Sequence, residues 1–198
     1  MSSSIVEGAA GLAPAARLLA SWWSPPSSDE LLRWSATWDT AFEVADVLGL
    51  PENDVEVLRA AAEEAEPATL REEYERLLVG PGRAPCSPYE SLWRTDQPRR
   101  DQGRLMAGCA ADVARVYADL GLRVRADAHE LPDHLVVEWE ALAHAFERNA
   151  AGAVLALGRE HLAAWMPAFC AAVAGVTTEP FYAALAQVTP EWTAALVP

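Results

Sequence analysis

Apolar positions along the chain recur at three- and four-residue intervals, set among alanine, leucine, glutamate and arginine, whereas alternating β-branched runs are nearly absent. That is the period of a helix with one buried face, so each long segment reads as helix and the expected fold class is all-α. A first helix covers about residues 9–23 and stops at Pro25 and Pro26, which cannot continue it. Ser28 caps a second, with Asp29 and Glu30 in the first turn, where the helix dipole favours anions. Leu31, Trp34, Trp38, Phe42 and Ala45 follow on one face of that helix, and Gly49 closes it. Pro51 and Asn53 open a third helix that reaches the Glu63 region, and Pro67 opens a fourth that ends at Gly80 and Pro81. Residues 101–120 read as a fifth, closed by Gly121; residues 127–133 are a short polar connector. Pro132 and Asp133 start a sixth helix running to about Asn149, and a seventh spans roughly residues 157–174, with a kink or break expected at Pro167. From Thr178 a last helix runs through Ala186, with a short turn at Pro190. No internal repeat or low-complexity linker divides the chain. A single domain over residues 1–198 is expected, a helical bundle of about seven to nine helices.

Composition narrows the setting. With 198 residues, 52% apolar content and eight tryptophans the chain can bury a sizeable core, which excludes disorder. The 15 basic against 29 acidic residues give a formal charge of −14, which repels nucleic acid and anionic membrane surfaces and favours cationic partners. Solubility alone also explains an acidic surface. Cys86, Cys109 and Cys170 are odd in number, far apart and in no CxxC pair, so neither a disulfide framework nor a zinc knuckle is suggested and a reducing cytoplasm fits. Glu7, Pro14 and Arg17 interrupt the N-terminal apolar stretch, which reads as a helix rather than a signal peptide, and no apolar run approaches the roughly 20 residues of a membrane span.

Two stretches carry candidate chemistry. The first, LLVGPGRAPCSPYESLWR from Leu77 to Arg94, follows the fourth helix. Gly80, Pro81 and Gly82 form a stop signal, but the residues beyond stay rigid and apolar where an exposed connector is usually polar. Two readings remain: a loop packed onto the core, or a wall in which Pro85, Pro88, Tyr89 and Trp93 face an incoming peptide. The second stretch is ELPDHLVVEWEALAHAF, Glu130 to Phe146. Helical spacing aligns Leu135, Trp139, Leu142 and Phe146 in one buried stripe, with His134 and Glu138 together on its flank and Glu140 near the opposite side. Asp133 stands where it can cap free amides of that helix, and the positive end of the dipole tends to keep His134 neutral.

His134 and Glu138 invite a metal reading, but the Glu-x-x-His pairs of a di-iron bundle and the HExxH motif are absent. No nucleophile elbow and no phosphate-binding glycine loop is present, and Cys86 has no evident histidine partner in sequence. No cofactor, metal or catalytic residue is therefore expected, and His129, His144 and His161 read as surface or packing histidines.

Together the two stretches, some 40 residues apart, resemble the TorD/DmsD/NarJ family of cytoplasmic chaperones for molybdoenzymes, and Glu160 to Phe169 is similar to that family's third helical signature. The resemblance covers most of the chain, from about Asp39 to Val176. It implies an all-helical, non-enzymatic protein that holds the apo catalytic subunit of a molybdopterin-dependent oxidoreductase, often by its twin-arginine leader peptide, until cofactor insertion and export. It implies peptide-binding positions at Leu78, Gly80, Pro81, Pro88, Tyr89, Ser91 and Trp93 of the first motif and at Asp133, His134 and Glu138 of the second. Tyr89 stands where several relatives carry tryptophan, and Cys86 near the turn is a further departure. A monomer or a helix-exchanged dimer is implied, with no nucleic acid and no stable membrane insertion. A permanent helical subunit of a redox complex and a small metal-dependent helical enzyme are the alternative readings.

Overall fold

The structure, a computed structural model, describes residues 9–80, 84–125 and 130–197. The helices are α1 (Ala13–Trp22), α2 (Ser28–Ser35), α3 (Trp38–Leu48), α4 (Glu52–Glu64), α5 (Pro67–Tyr74), α6 (Gly108–Asp119), α7 (Leu135–Glu147), α8 (Ala151–Leu155), α9 (Ala163–Val176) and α10 (Pro180–Leu196). A short 3₁₀ turn at Ala9–Leu12 precedes α1, and another lies at Glu90–Leu92. π-helical turns at Glu75–Val79 and Ala156–Leu162 extend α5 and join α8 to α9. The fold is all-α, and among the described residues the only strand-like pairing is a single bridge between Tyr89 and His134.

The apolar spacing read from the sequence decides the packing. α1 lies along α7, and α10 runs between α9 and α4. Leu135, Trp139, Leu142 and Phe146, the stripe expected of α7, are all fully buried. The tryptophans build much of the core. Trp22 stacks on Trp38 at 5.5 Å, Trp34 stacks on Phe181 at 4.8 Å, and Trp23 meets Phe169 edge-on at 5.1 Å. Aromatic pairs in these geometries add about 0.5–1.5 kcal/mol each beyond the area they bury. Two of the buried indole N–H groups are received by hydroxyls, Trp23 donating to Thr189 at 3.0 Å and Trp34 to Ser21 at 3.1 Å, whereas those of Trp22 and Trp139 have no partner. Cys86, Cys109 and Cys170 are free and buried. No helix among the described residues is long and apolar enough to cross a membrane.

Several boundaries differ from the sequence expectation. The cap of α2 is Ser27, whose hydroxyl accepts from the Glu30 N–H at 3.1 Å, rather than Ser28. The expected second helix is two, because the Ser35 and Thr37 hydroxyls donate to the carbonyls of Leu32 and Trp34 and compete with the next helical turn. α6 starts at Gly108, not near 101: Gln102 donates to the carbonyls of Thr95 and Gln97, and residues 99–106 close into turns instead. At Pro167, where a kink or break is expected, α9 runs unbroken, and the last helix passes through Pro190 to Leu196. In both cases packing of α9 against α10 outweighs one lost backbone hydrogen bond. The helical run ahead of α9 also starts earlier than expected, at Ala151, and Gly158 within it is a contact point. A Cβ there would stand 2.2 Å from a Val197 methyl carbon.

Candidate functional site

The two sequence motifs meet in space, joined by their backbones. The Leu135 N–H donates to the Pro88 carbonyl and the Glu90 N–H to the Asp133 carbonyl, each at 2.9 Å, which is the antiparallel bridge between Tyr89 and His134. The chain reaches that bridge by a tight path. The π-helical turn Glu75–Val79 ends on Gly80, whose N–H returns to the Glu75 carbonyl at 2.5 Å, and the Cys86 N–H bonds the Leu77 carbonyl at 2.9 Å. Gly80 sits at φ 59°, ψ 157°, a region essentially reserved for glycine, and a Cβ on it would stand 3.2 Å from the Ala84 Cα. The stop signal is therefore also a specific backbone corner.

Beside the bridge lies a groove of about 770 Å³. Leu78, Gly80, Pro88, Tyr89 and His134, half of the expected peptide-binding positions, line it together with Tyr74, Val79, Glu72, Glu75 and Glu130. The Tyr89 hydroxyl donates to Glu130 at 3.0 Å, and its ring meets the His134 ring edge-on at 5.2 Å. Burial, then the nearby Glu130 carboxylate, pushes the Tyr89 hydroxyl up to about 12, so it remains a donor at neutral pH. Burial also depresses His134 below its usual value, against the opposing pull of Glu130 and Asp133. Among the described residues two arginines line the groove, and both are engaged: Arg71 with Glu75 and Arg76 with Glu73, each at 2.7 Å. Among the described residues Glu72 and Glu130 are left without an arginine partner.

Of the remaining expected positions, Ser91, Asp133 and Glu138 are buried and Trp93 is partly buried, and these four do not line the groove. Asp133 is fully buried and does not cap its own helix. Its Oδ2 accepts from the Ser91 N–H at 3.1 Å and so caps the short turn Glu90–Leu92 across the chain. The cap of α7 is His134, whose Nδ1 accepts from the Val136 N–H at 3.3 Å. Trp93 turns inward, donating to the Ser87 carbonyl at 2.8 Å and packing edge-on against Phe169 at 5.7 Å. Glu138 is fully buried on the core side of α7, where Trp165 donates to its Oε2 at 3.2 Å and its Oε1 has no partner. Burial first, and then the charges of Glu90 and Asp133 against the Trp165 bond, raise the Glu138 carboxyl well above the usual range. Pro81 lies outside the described residues, as does His129.

Three features of this region have no role in the sequence reading. Glu72 and Glu75 sit in an ordinary-looking acidic helix, and Glu130 in what reads as a polar connector; only the fold turns them toward Tyr89. Glu90 is the hub of a buried ionic cluster, with Arg94 on one oxygen at 2.5 Å and His161 Nδ1 on the other at 2.8 Å. His161 is a packing histidine as expected, but a paired one. The i, i+4 spacing of Glu90 and Arg94 was the available signal, and it is equally common on exposed helices. No cluster of ligands suited to a metal ion occurs among the described residues.

The two motifs thus give an all-α bundle in which the loop after Gly80 is tied to the start of α7, with an acidic and apolar groove over the joint. Residues 49–171 match the family described as nitrate reductase delta subunit, and the chain belongs to that family, which includes the TorD-like proteins. It is 34% identical over 117 residues to the chaperone protein TorD of Shewanella piezotolerans and 30% identical over 109 residues to that of Shewanella pealeana. These alignments take in 58% and 54% of this chain and 54% and 49% of the relatives, so the chain spans about half the length of the curated relatives it matches. A crystal structure assigned to a redox enzyme maturation protein of Archaeoglobus fulgidus superposes with a TM-score of 0.60 over 90% of this chain and 91% of that one, at 22% identity. That likeness concerns the fold.

Proposed function

We propose that the protein is a chaperone that holds the unassembled catalytic subunit of a molybdopterin-dependent oxidoreductase, chiefly through its twin-arginine leader, and so assists cofactor insertion, assembly and export. Family membership and the TorD relatives support the chaperone role. The observation that carries the leader reading is the groove itself. A twin-arginine leader joins two guanidinium groups to an apolar stretch, so its binder needs carboxylates that lack a cation beside an apolar wall. Glu72 and Glu130 meet the first need, and Leu78, Val79, Pro88 and Tyr89 the second. The wall is stiffened by the bridge to His134, which lowers the ordering cost of capturing an extended peptide. In this reading Leu78, Gly80, Pro88, Tyr89 and His134 touch the peptide, while Ser91, Trp93, Asp133 and Glu138 hold that surface in place from beneath.

Titration calorimetry of a client leader peptide against wild type, Tyr89→Ala and Glu72→Gln/Glu130→Gln, at two salt concentrations, tests this. The carboxylate variant is expected to bind more weakly and with a flatter salt response, and Tyr89→Ala more weakly at every salt. Unchanged affinity in both folded variants overturns the leader reading. Capture of mature enzyme rather than leader-bearing precursor from native cells would favour a permanent subunit instead.

A further inference from the structure

The loop between the Glu90–Leu92 turn and α6 carries chemistry that the proposed function does not use. Residues 98–106 read PRRDQGRLM. In a chain with only 15 basic residues against 29 acidic, three arginines fall within six positions, Arg99, Arg100 and Arg104, and they are followed by Leu105 and Met106. All five side chains are exposed, Met106 at 71%. Arg100 has only Asp101 near it, at 3.6 Å, and Arg104 donates to a backbone carbonyl at 3.3 Å; no carboxylate among the described residues neutralises Arg99 or Arg104. A pair of adjacent arginines followed within six residues by exposed apolar side chains is the chemistry that the groove is read as accepting. The protein displays on its own surface a likeness of its ligand.

The place of the loop decides what it can reach. Gly103, Arg104 and Leu105 line a cleft of about 530 Å³ whose other wall includes Val79 and Ser87, and those two residues also line the groove. The Gly103–Leu105 part of the loop and the groove therefore adjoin on one face of the molecule, which also exposes Val79 at 58%. A face that carries a cationic, apolar knob beside an acidic, apolar hollow is self-complementary under a two-fold rotation. Two copies set face to face place each loop against the other's groove at once, the isologous arrangement of a closed dimer.

We infer that this face mediates a reciprocal dimer, in which the loop bearing Arg99, Arg100, Leu105 and Met106 of each copy occupies the groove bearing Glu72, Glu130 and Tyr89 of the other, so that a second copy and a client peptide compete for one site. The competition rests on the leader reading above; the dimer itself does not. The contacts are exposed and charged, so association weakens with salt. The arrangement covers the apolar groove when no client is present and opens it when one arrives.

Sedimentation velocity over a concentration series at low salt tests the dimer. Wild type is expected to associate, and Arg99→Glu/Arg100→Glu to do so about tenfold more weakly or not at all. Glu72→Arg reverses the charge of the groove at an exposed residue with no carboxylate-binding partner of its own, and it too is expected to be monomeric. Mixed together, these two variants pair reversed loop with reversed groove and native loop with native groove, so they are expected to form a heterodimer although neither self-associates. Wild type that stays monomeric at every concentration, or loop and groove variants that dimerise like wild type, overturns the inference. So does a mixture of the two variants that stays monomeric while both are folded by circular dichroism. Adding a leader peptide to the wild-type dimer is expected to dissociate it. If the peptide binds neither wild type nor the monomeric variants, the leader reading fails and the dimer stands; if it binds and leaves a dimer intact, the occlusion fails and the leader reading stands.

Discussion

Two fully buried carboxylates of this fold, Glu90 and Glu138, are expected to respond oppositely to the same neutralising substitution. Both oxygens of Glu90 are engaged, by Arg94 at 2.5 Å and by His161 at 2.8 Å, and Arg94 also donates to the Glu160 carbonyl. Glu90→Gln leaves that cation and that imidazole without their carboxylate. Breaking a buried pair from one side costs about 3–5 kcal/mol, and because Arg94 keeps Asp96 the lower end applies, about 3 kcal/mol. In a domain of this size that lowers Tm by roughly 6–12 °C. Glu138 has one N–H bond and one oxygen with no partner, and its raised carboxyl is neutral over a wider pH range than a solvated one. For a carboxyl whose folded value exceeds its unfolded value, the favourable contribution is complete below the unfolded value of 4.5 and is lost as pH rises through the folded one. Glu138→Gln carries no such loss. It is expected to match wild type within about 1 kcal/mol at pH 5 and to be the more stable of the two by a wider margin at pH 8. Because Glu90 is itself a cause of the raised Glu138 value, the two substitutions are coupled, and the gain from Glu138→Gln shrinks in the Glu90→Gln background. Urea unfolding followed by tryptophan fluorescence at pH 5 and 8, on wild type, both single variants and the double variant, measures the cycle. A neutral Glu90→Gln, or a Glu138→Gln that is less stable than wild type at pH 8, refutes this account of the cluster.

Trp139→Ala is expected to cost about 3–5 kcal/mol, read as a fall in Tm, since the ring lies in the centre of the α7 stripe and is fully buried. Trp139→Phe should cost clearly less, because the Trp139 indole N–H has no acceptor and its removal relieves an unmet donor. Gly80→Ala is expected to lose about 1–3 kcal/mol in chemical denaturation through its positive φ and the approach of Ala84. Leader binding is expected to be flat in pH from 8 down to 6.5 and to weaken only below, where His134, depressed by burial, takes up a proton and opposes an arginine-rich ligand; calorimetry across that range checks it, and removal of the dependence in His134→Gln assigns it.

The all-α class and the buried α7 stripe follow from local information: apolar spacing, helix propensity and glycine and proline placement, each acting within a few residues, whereas the pairing of the two motifs is implied only by the family resemblance. The same locality explains the boundary errors. Residues 101–107 have helical composition, yet Gln102 finds two loop carbonyls, and Pro167 and Pro190 would break an isolated helix but lie in helices held by neighbours. What spacing along one helix could not decide is which side of it meets solvent. His134 and Glu138 were read as sharing a flank, and their neighbour Asp133 as a cap on that helix. Packing of α9 and the Glu90–Leu92 turn buries Glu138 and Asp133, whereas Glu130 in the connector is turned toward Tyr89. Charge does not reveal burial, because a carboxylate looks the same in sequence whether water or Arg94 compensates it. Only the tertiary fold, by setting which groups exclude water from which, divided one acidic chain into a buried ionic cluster and an exposed acidic groove.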